Sequence, residues 1–169
     1  MKLTFAEALP SLSRVKPAER EPLRVALVQT KWHEDPSEHE AVLAEGIREA
    51  AQAGAKIVFL PELTLSRYMA DTMPTDTPNL LAEDLETGST YRFAAKAAAE
   101  NNVHVHISLY EHQPFADGRG LNVAIIVDPA GRIIARTPKL HIPVTAGYYE
   151  DKYFAEGPAD GEPYPVYEI

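Results

Sequence analysis

The chain has 169 residues, 45% apolar and 24% charged, a balance that suits one globular domain with a real core. Acids outnumber bases 25 to 16, so the net charge is −9, which argues against a nucleic acid or an anionic membrane surface as partner because nothing is left over to neutralise phosphates. With no cysteine, the chain can form no disulfide, build no thiolate zinc site and supply no thiol nucleophile of its own.

Residues 1–22, MKLTFAEALPSLSRVKPAEREP, hold no continuous apolar run, and Glu7 interrupts what there is. They read as an N-terminal extension of a cytoplasmic protein, with the domain over 23–169. No stretch approaches the length of a membrane helix. From Leu23 the pattern becomes regular. LRVALVQT is a short apolar run with the look of a strand buried on both faces. Asp35-Pro36-Ser37 then opens a helix, with Val42, Leu43, Ile47, Ala50 and Ala51 at helical spacing and Gly54 marking its end. KIVFLPE is a second buried strand, closed by Pro61. Residues 64–87 carry no periodicity, and a loop of that length in a small domain is often functional.

A second helix is expected over STYRFAAKAAAENN, with Ser89 as its cap and Asn101-Asn102 as its stop. VHVHISLYEH is a third strand. After the turn FADGRG, the run LNVAIIVDPAGRIIARTPK places Asp128-Pro129-Ala130-Gly131 between two β-branched segments, a hairpin signal. The order β-α-β-loop-α-β-β-β makes the first three strands parallel, joined by right-handed crossovers, and the last ones antiparallel. The closing GEPYPVYEI, with Gly161 and Pro163 in a turn and Val166, Tyr167 and Ile169 as strand formers, reads as a new strand beginning. The expectation is therefore that these residues are the front part of a larger domain.

Few residues are placed to do chemistry. Glu62 follows a buried parallel strand directly, at the sheet end where ligands gather. It suits a general base, or alternatively a turn cap or a partner for Arg67. Lys139 ends the last strand and suits an ammonium aimed at a developing oxyanion, or a surface lysine. Asn122 can tie a loop to the strands, with a structural role preferred. His104 and His106 alternate on one strand and so share a face. With His112 they lack a helix-borne metal-binding spacing, and a half-buried strand face is the preferred reading. There is no GxSxG elbow and no phosphate-binding loop, and Gly118-Arg119-Gly120 lies in a hairpin turn.

Four pieces, in order, resemble the nitrilase (carbon–nitrogen hydrolase) superfamily: LRVALVQT followed by a helix, IVFLPEL, LNVAIIVDPAGRIIARTPKLHIP and GYYEDKYFAEG. The resemblance implies an α/β fold, an α-β-β-α sandwich of the nitrilase type with a mixed sheet, here truncated. It implies assembly into a homo-oligomer, with no metal or organic cofactor. That machinery is a glutamate, a lysine and a cysteine, with a second glutamate. Matched motif by motif, Glu62 corresponds to the base, Lys139 to the lysine and Glu150 to the second glutamate; the cysteine has no match in these residues. The sequence departs from the usual pattern at Pro138, where arginine is common before the lysine, and at Arg67, where glycine is common before the tyrosine. The implied activity is hydrolysis of a small-molecule amide or N-carbamoyl amine, closest to the N-carbamoylputrescine amidase and ureidopropionase-like branch, with the isolated chain inactive. Acidic Glu150, Asp151 and Glu156 would suit a cationic amine tail. The alternative is a non-catalytic fragment or degenerate paralogue serving as a binding or assembly module.

Overall fold

The computed structural model describes residues 1–7, 12–13, 16, 19–75, 77–157, 162 and 164–169. Five strands, β1 (Val25–Leu27), β2 (Ile57–Phe59), β3 (His104–Glu111), β4 (Leu121–Val127) and β5 (Ile133–Pro138), form one sheet in sequence order. The pairs β1–β2 and β2–β3 are parallel, and β3–β4 and β4–β5 are antiparallel, as the element order implied.

The first crossover is α1 (Pro36–Gln52). Asp35 caps it, its carboxylate accepting the N–H groups of Ser37 at 2.8 Å and Glu38 at 3.2 Å, and Pro36 occupies the first turn where no N–H is needed. Gly54 ends it at φ +88°, as the sequence suggested. The second crossover is α2 (Ser89–Asn101), stopped by Asn102 in a left-handed conformation at φ 53°.

Its start corrects the sequence reading. Gly88, not Ser89, is the cap residue, and the cap is supplied from outside the helix. Glu83 accepts the Thr90 N–H at 2.9 Å and the hydroxyls of Ser89 at 2.9 Å and Thr90 at 2.6 Å. Glu83 is held there because it pairs with the edge of β3: its N–H donates to the Tyr110 carbonyl at 2.7 Å and its carbonyl accepts the His112 N–H at 2.8 Å. A Cβ at residue 88 would lie 2.5 Å from the Asp84 carbonyl oxygen, so only glycine fits the approach. The irregular stretch 64–87 holds two 3₁₀ turns, Met69–Asp71 and Pro78–Leu81.

Strand alternation separates the sheet into two unlike faces. Val28, Val58, Leu60, Val105, Ile107, Leu109, Val123, Ile125 and Val127 pack with Leu43, Ile47 and Ala50 of α1 and Ala94, Ala97 and Ala98 of α2 into one dry core. The opposite face carries Val25, Leu27, Phe59, His106, Ser108, Asn122, Ala124 and Ile126 by register. A second, smaller cluster of Leu63, Met69, Ala70, Tyr110, Tyr153 and Phe154 covers one end of it.

The first strand was expected to be buried on both faces; instead Val25 is 50% exposed and Leu27 79%. Only Ala26 and Val28 meet the helices, because β1 is an edge strand and no described layer lies over its other side. The described residues thus supply one helical layer and one sheet of the expected sandwich. The expected closing strand does not form: 164–169 join no ladder, although the Tyr167 hydroxyl donates to the Arg136 carbonyl at 2.7 Å. The proposed turn residues Gly161 and Pro163 lie outside the described residues, as does part of the expected extension at 1–22. At the start of that extension, the Met1 ammonium sits 3.2 Å from Glu45. No described helix is long and apolar enough to cross a membrane.

Candidate active site

Glu62 projects from a turn that the chain has to force. Leu63, directly after it, is a buried non-glycine residue at φ +50°. That conformation costs about 1–2 kcal/mol for an L-residue and persists only where neighbours over-determine it. They do so here. The Thr64 hydroxyl donates to the Pro61 carbonyl at 2.6 Å and accepts the Ser108 N–H at 3.2 Å. The Thr64 N–H donates to the Ser108 carbonyl at 2.9 Å, and His39 Nε2, buried on α1, donates to the Thr64 carbonyl at 2.9 Å. The base candidate therefore sits on a short turn stitched to β3 on one side and α1 on the other.

Lys139 arrives from the opposite direction. The β4–β5 hairpin, turned by Asp128 and Gly131, brings its backbone alongside β4, where the Lys139 N–H donates to the Asn122 carbonyl at 2.8 Å. Its ammonium reaches Glu62 Oε1 at 3.2 Å and Glu150 Oε2 at 2.9 Å. Glu150 opens α3 (Glu150–Tyr153), and its side chain is 8% exposed against 30% for Lys139 and 51% for Glu62. The three residues singled out in the sequence thus converge at the end of the sheet where β2 and β3 finish and β4 begins. The alternative partner for Glu62 is ruled out, since Arg67 instead pairs with Asp71.

Two polar residues that the sequence did not single out, and one judged structural, complete the cluster. The Tyr68 hydroxyl, from the irregular loop, donates to Glu150 Oε1 at 2.6 Å. Asn122 Nδ2 donates to Glu62 Oε1 at 2.6 Å, and the Ser108 hydroxyl donates to Asn122 Oδ1 at 3.3 Å. Tyr68 stands 82 residues from its partner, so no local spacing announces it. Ser108 could be placed from strand parity alone, since it shares a face with His104 and His106.

The electrostatics suit a fixed cation. Burial alone would lower the Lys139 pKa, but the bond to Glu150 and the charge of Glu62 outweigh it, so the value ends above an ordinary lysine's. Lys139 is therefore an ammonium across the neutral range and serves as a donor, not as a base. Because its folded value is the higher one, its share of stability is in place below the ordinary lysine pKa and is lost as pH rises through the folded value. Burial, and then the bond to Glu150, push the Tyr68 phenol well above its usual value and keep it a donor.

A cleft of about 240 Å³ opens beside this cluster, lined by Tyr68, Pro143, Thr145, Tyr148 and Glu150. A roomier cleft, about 820 Å³, touches none of Glu62, Lys139 or Glu150. Asp151 and Glu156 line that second cleft, and Asp151 pairs with Lys152, so the three acids expected to attract an amine tail do not share one pocket. His104 and His106 do face the same side, but the His104 ring already meets the Lys56 carbonyl at 3.3 Å.

The family model for the carbon–nitrogen hydrolases matches residues 24–169. A citrullinase from Francisella tularensis is 30% identical over 138 residues, covering 81% of this chain and 46% of its own length. An N-carbamoylputrescine amidase from Oryza sativa subsp. japonica is 31% identical over 133 residues, 79% of this chain and 43% of its own. A solved carbon–nitrogen hydrolase from Helicobacter pylori superposes with a TM-score of 0.67 at 23% identity, over 79% of this chain and 44% of that one. The chain spans less than half the length of each of these relatives.

Proposed function

This chain belongs to the carbon–nitrogen hydrolase family, and on that premise we propose that it carries the acid–base and oxyanion half of a site that hydrolyses a small amide or N-carbamoyl amine. One observation carries the reading: Glu62, Lys139 and Glu150, from three separate parts of the chain, meet within 3.2 Å of one ammonium.

The chemistry asks for these types. A thiolate attacks the carbonyl carbon, and cationic surroundings can lower a cysteine pKa to roughly 3.5–7.5. These 169 residues contain no cysteine, so the sulfur comes from outside them. Glu62 takes the thiol proton as the sulfur–carbon bond forms. Lys139 has N–H groups on both carboxylates and one further N–H to turn toward the oxyanion of the tetrahedral intermediate. Glu62 then returns the proton to the departing nitrogen as the carbon–nitrogen bond breaks. A water that Glu62 deprotonates cleaves the thioester and regenerates the thiol. Glu150, held by Tyr68, keeps Lys139 in place and charged.

The substrate class rests on the branch resemblance, and the citrullinase and N-carbamoylputrescine amidase relatives are in keeping with it. A homo-oligomer in the cytoplasm remains part of the same proposal. The test is ammonia release from ω-amides, N-carbamoyl amines and nitriles by a protein in which this chain is joined to, or mixed with, the cysteine-bearing segment. Hydrolysis that disappears in Glu62→Gln and in Lys139→Ala supports the roles of base and oxyanion donor, and near-wild-type rates in either variant refute them. The chain alone is expected to release none. A binding or assembly module becomes the better reading if the completed protein is equally inert.

A further inference from the structure

Among the described residues, Glu62 is held by one oxygen only. The Asn122 amide at 2.6 Å and the Lys139 ammonium at 3.2 Å both donate to Oε1. Oε2 has no hydrogen bond among the described residues. A carboxylate with no such restraint presents either oxygen by rotating its last torsion, which is broad and nearly two-fold.

Of the two donors, the amide is the one with a fixed aim. Asn122 is buried on β4, and an amide can in principle offer its nitrogen or its oxygen to a neighbour. The acceptor-only carboxylate of Glu62 takes the nitrogen, and register supplies a brace for the oxygen. Tyr110 lies opposite Asn122, so Ser108, two residues back along β3, lies diagonally beside it on the same face. Its hydroxyl donates to Asn122 Oδ1 at 3.3 Å, so the oxygen has a partner on β3 while Nδ2 faces Glu62. The opposite orientation would set two oxygens against each other at 2.6 Å.

Both residues are also tied to the site through their backbones. Ser108 exchanges bonds with Thr64, which anchors the turn from which Glu62 projects. The Asn122 carbonyl accepts the Lys139 N–H. One diagonal pair on adjacent strands therefore sets the heights of base and cation together.

We propose that Asn122, braced by Ser108, is a positioning residue that engages one oxygen of Glu62 and leaves Oε2 as the oxygen that exchanges the proton. The proposal rests on the hydrolase reading, in which Glu62 is the base. On that reading Oε2 accepts the thiol proton and hands it to the leaving nitrogen, while Oε1 stays on Asn122 and Lys139 throughout. The value of the restraint is geometric, because a misplacement of about 1 Å at a reacting group can cost about 100-fold.

Two measurements test it. The first needs no turnover. In the 169-residue chain labelled with ¹⁵N-asparagine, the Asn122 side-chain amide protons are expected to exchange with solvent more slowly than those of a free asparagine. Ser108→Ala is expected to speed that exchange about tenfold, the scale of a lost hydrogen bond, and Ser108→Thr to keep it slow. Exchange at the free rate in the wild-type chain, or unchanged exchange in Ser108→Ala, overturns the brace. The second uses the cysteine-completed protein. Asn122→Ala is expected to lower kcat by about 30- to 100-fold with KM changed less than about threefold, and Ser108→Ala to lower kcat by about 5- to 10-fold, restored by Ser108→Thr. A rise in KM equal to the fall in kcat, or no restoration by threonine, overturns the positioning role. A wild-type protein that hydrolyses nothing overturns the hydrolase reading and with it the proton-exchange role of Oε2. The exchange measurement still decides, separately, whether Ser108 braces Asn122.

Discussion

The two faces of this sheet carry the same strands and do opposite work. Toward the helices, β3 presents Val105, Ile107 and Leu109, all buried in an apolar core. On its other face the same strand presents His106, Ser108 and Tyr110, of which Ser108 and Tyr110 make side-chain hydrogen bonds. His106 Nδ1, although buried, has no hydrogen-bond partner among the described residues. Apolar packing is concentrated on one side and polar contacts on the other, so on the proposed hydrolase reading a substitution at one residue should read out as folding and at its neighbour as function. The lesson is that parity along a strand, more than distance from the site, decides what a residue is for.

That contrast can be broken at several points. The largest effect is expected at the site end of the open face: Lys139→Met in a cysteine-completed protein should lower kcat about 100- to 1000-fold, read by ammonia release. Next, on the helical face, Ile107→Ala should cost about 2–5 kcal/mol in urea unfolding of the chain, whereas Ser108→Ala beside it should cost about 1 kcal/mol. A reversal of that order would erase the distinction between the faces.

A smaller, pH-dependent effect belongs to His106, whose ring lies tilted against Phe59 with centroids 4.9 Å apart and whose pKa burial lowers below 6.5. The unfolded chain takes up its proton first, so stability is full above about pH 6.5 and falls as pH drops toward the lower folded value. Melting temperatures against pH should show that slope in the wild-type chain and a shallower one in His106→Phe. The smallest change is expected at the open edge, where Leu27→Thr should shift unfolding by no more than about 0.5 kcal/mol.

Much of the fold was legible in the sequence because its signals are local. The apolar spacing of Leu43, Ile47 and Ala50, the Asp35-Pro36 start and the Asp128–Gly131 turn each act within a few residues, and each forms as read. The misreadings share a cause. LRVALVQT was expected to be covered on both faces, yet Val25 and Leu27 are exposed, because a run of apolar residues records what a strand can bury and not which layer is present to cover it. Ser89 has the chemistry of a cap, but Glu83 takes the role because pairing with β3 holds it over the helix start. Within the candidate site, Glu62 and Lys139 were picked out by their positions at strand ends and again by the family motifs, and Glu150 by the motifs. Tyr68 and Ser108 were not, since a phenol in an irregular loop and a serine in an apolar strand have no pattern until their partners are known.

By itself, the sequence determined the order and type of the elements, the two-faced strands, and the supply of one lysine between carboxylates in a chain without sulfur nucleophiles. Those are properties of covalent order and of side-chain periodicity, which act over a few residues. Only the tertiary structure decided that Ser108, Asn122, Glu62, Lys139, Glu150 and Tyr68 form one connected chain of hydrogen bonds. Hydrogen bonds and ion pairs depend on separations of about 3 Å in space, and the 77 positions that separate Glu62 from Lys139 in sequence become such a separation only when the sheet brings both to the same end.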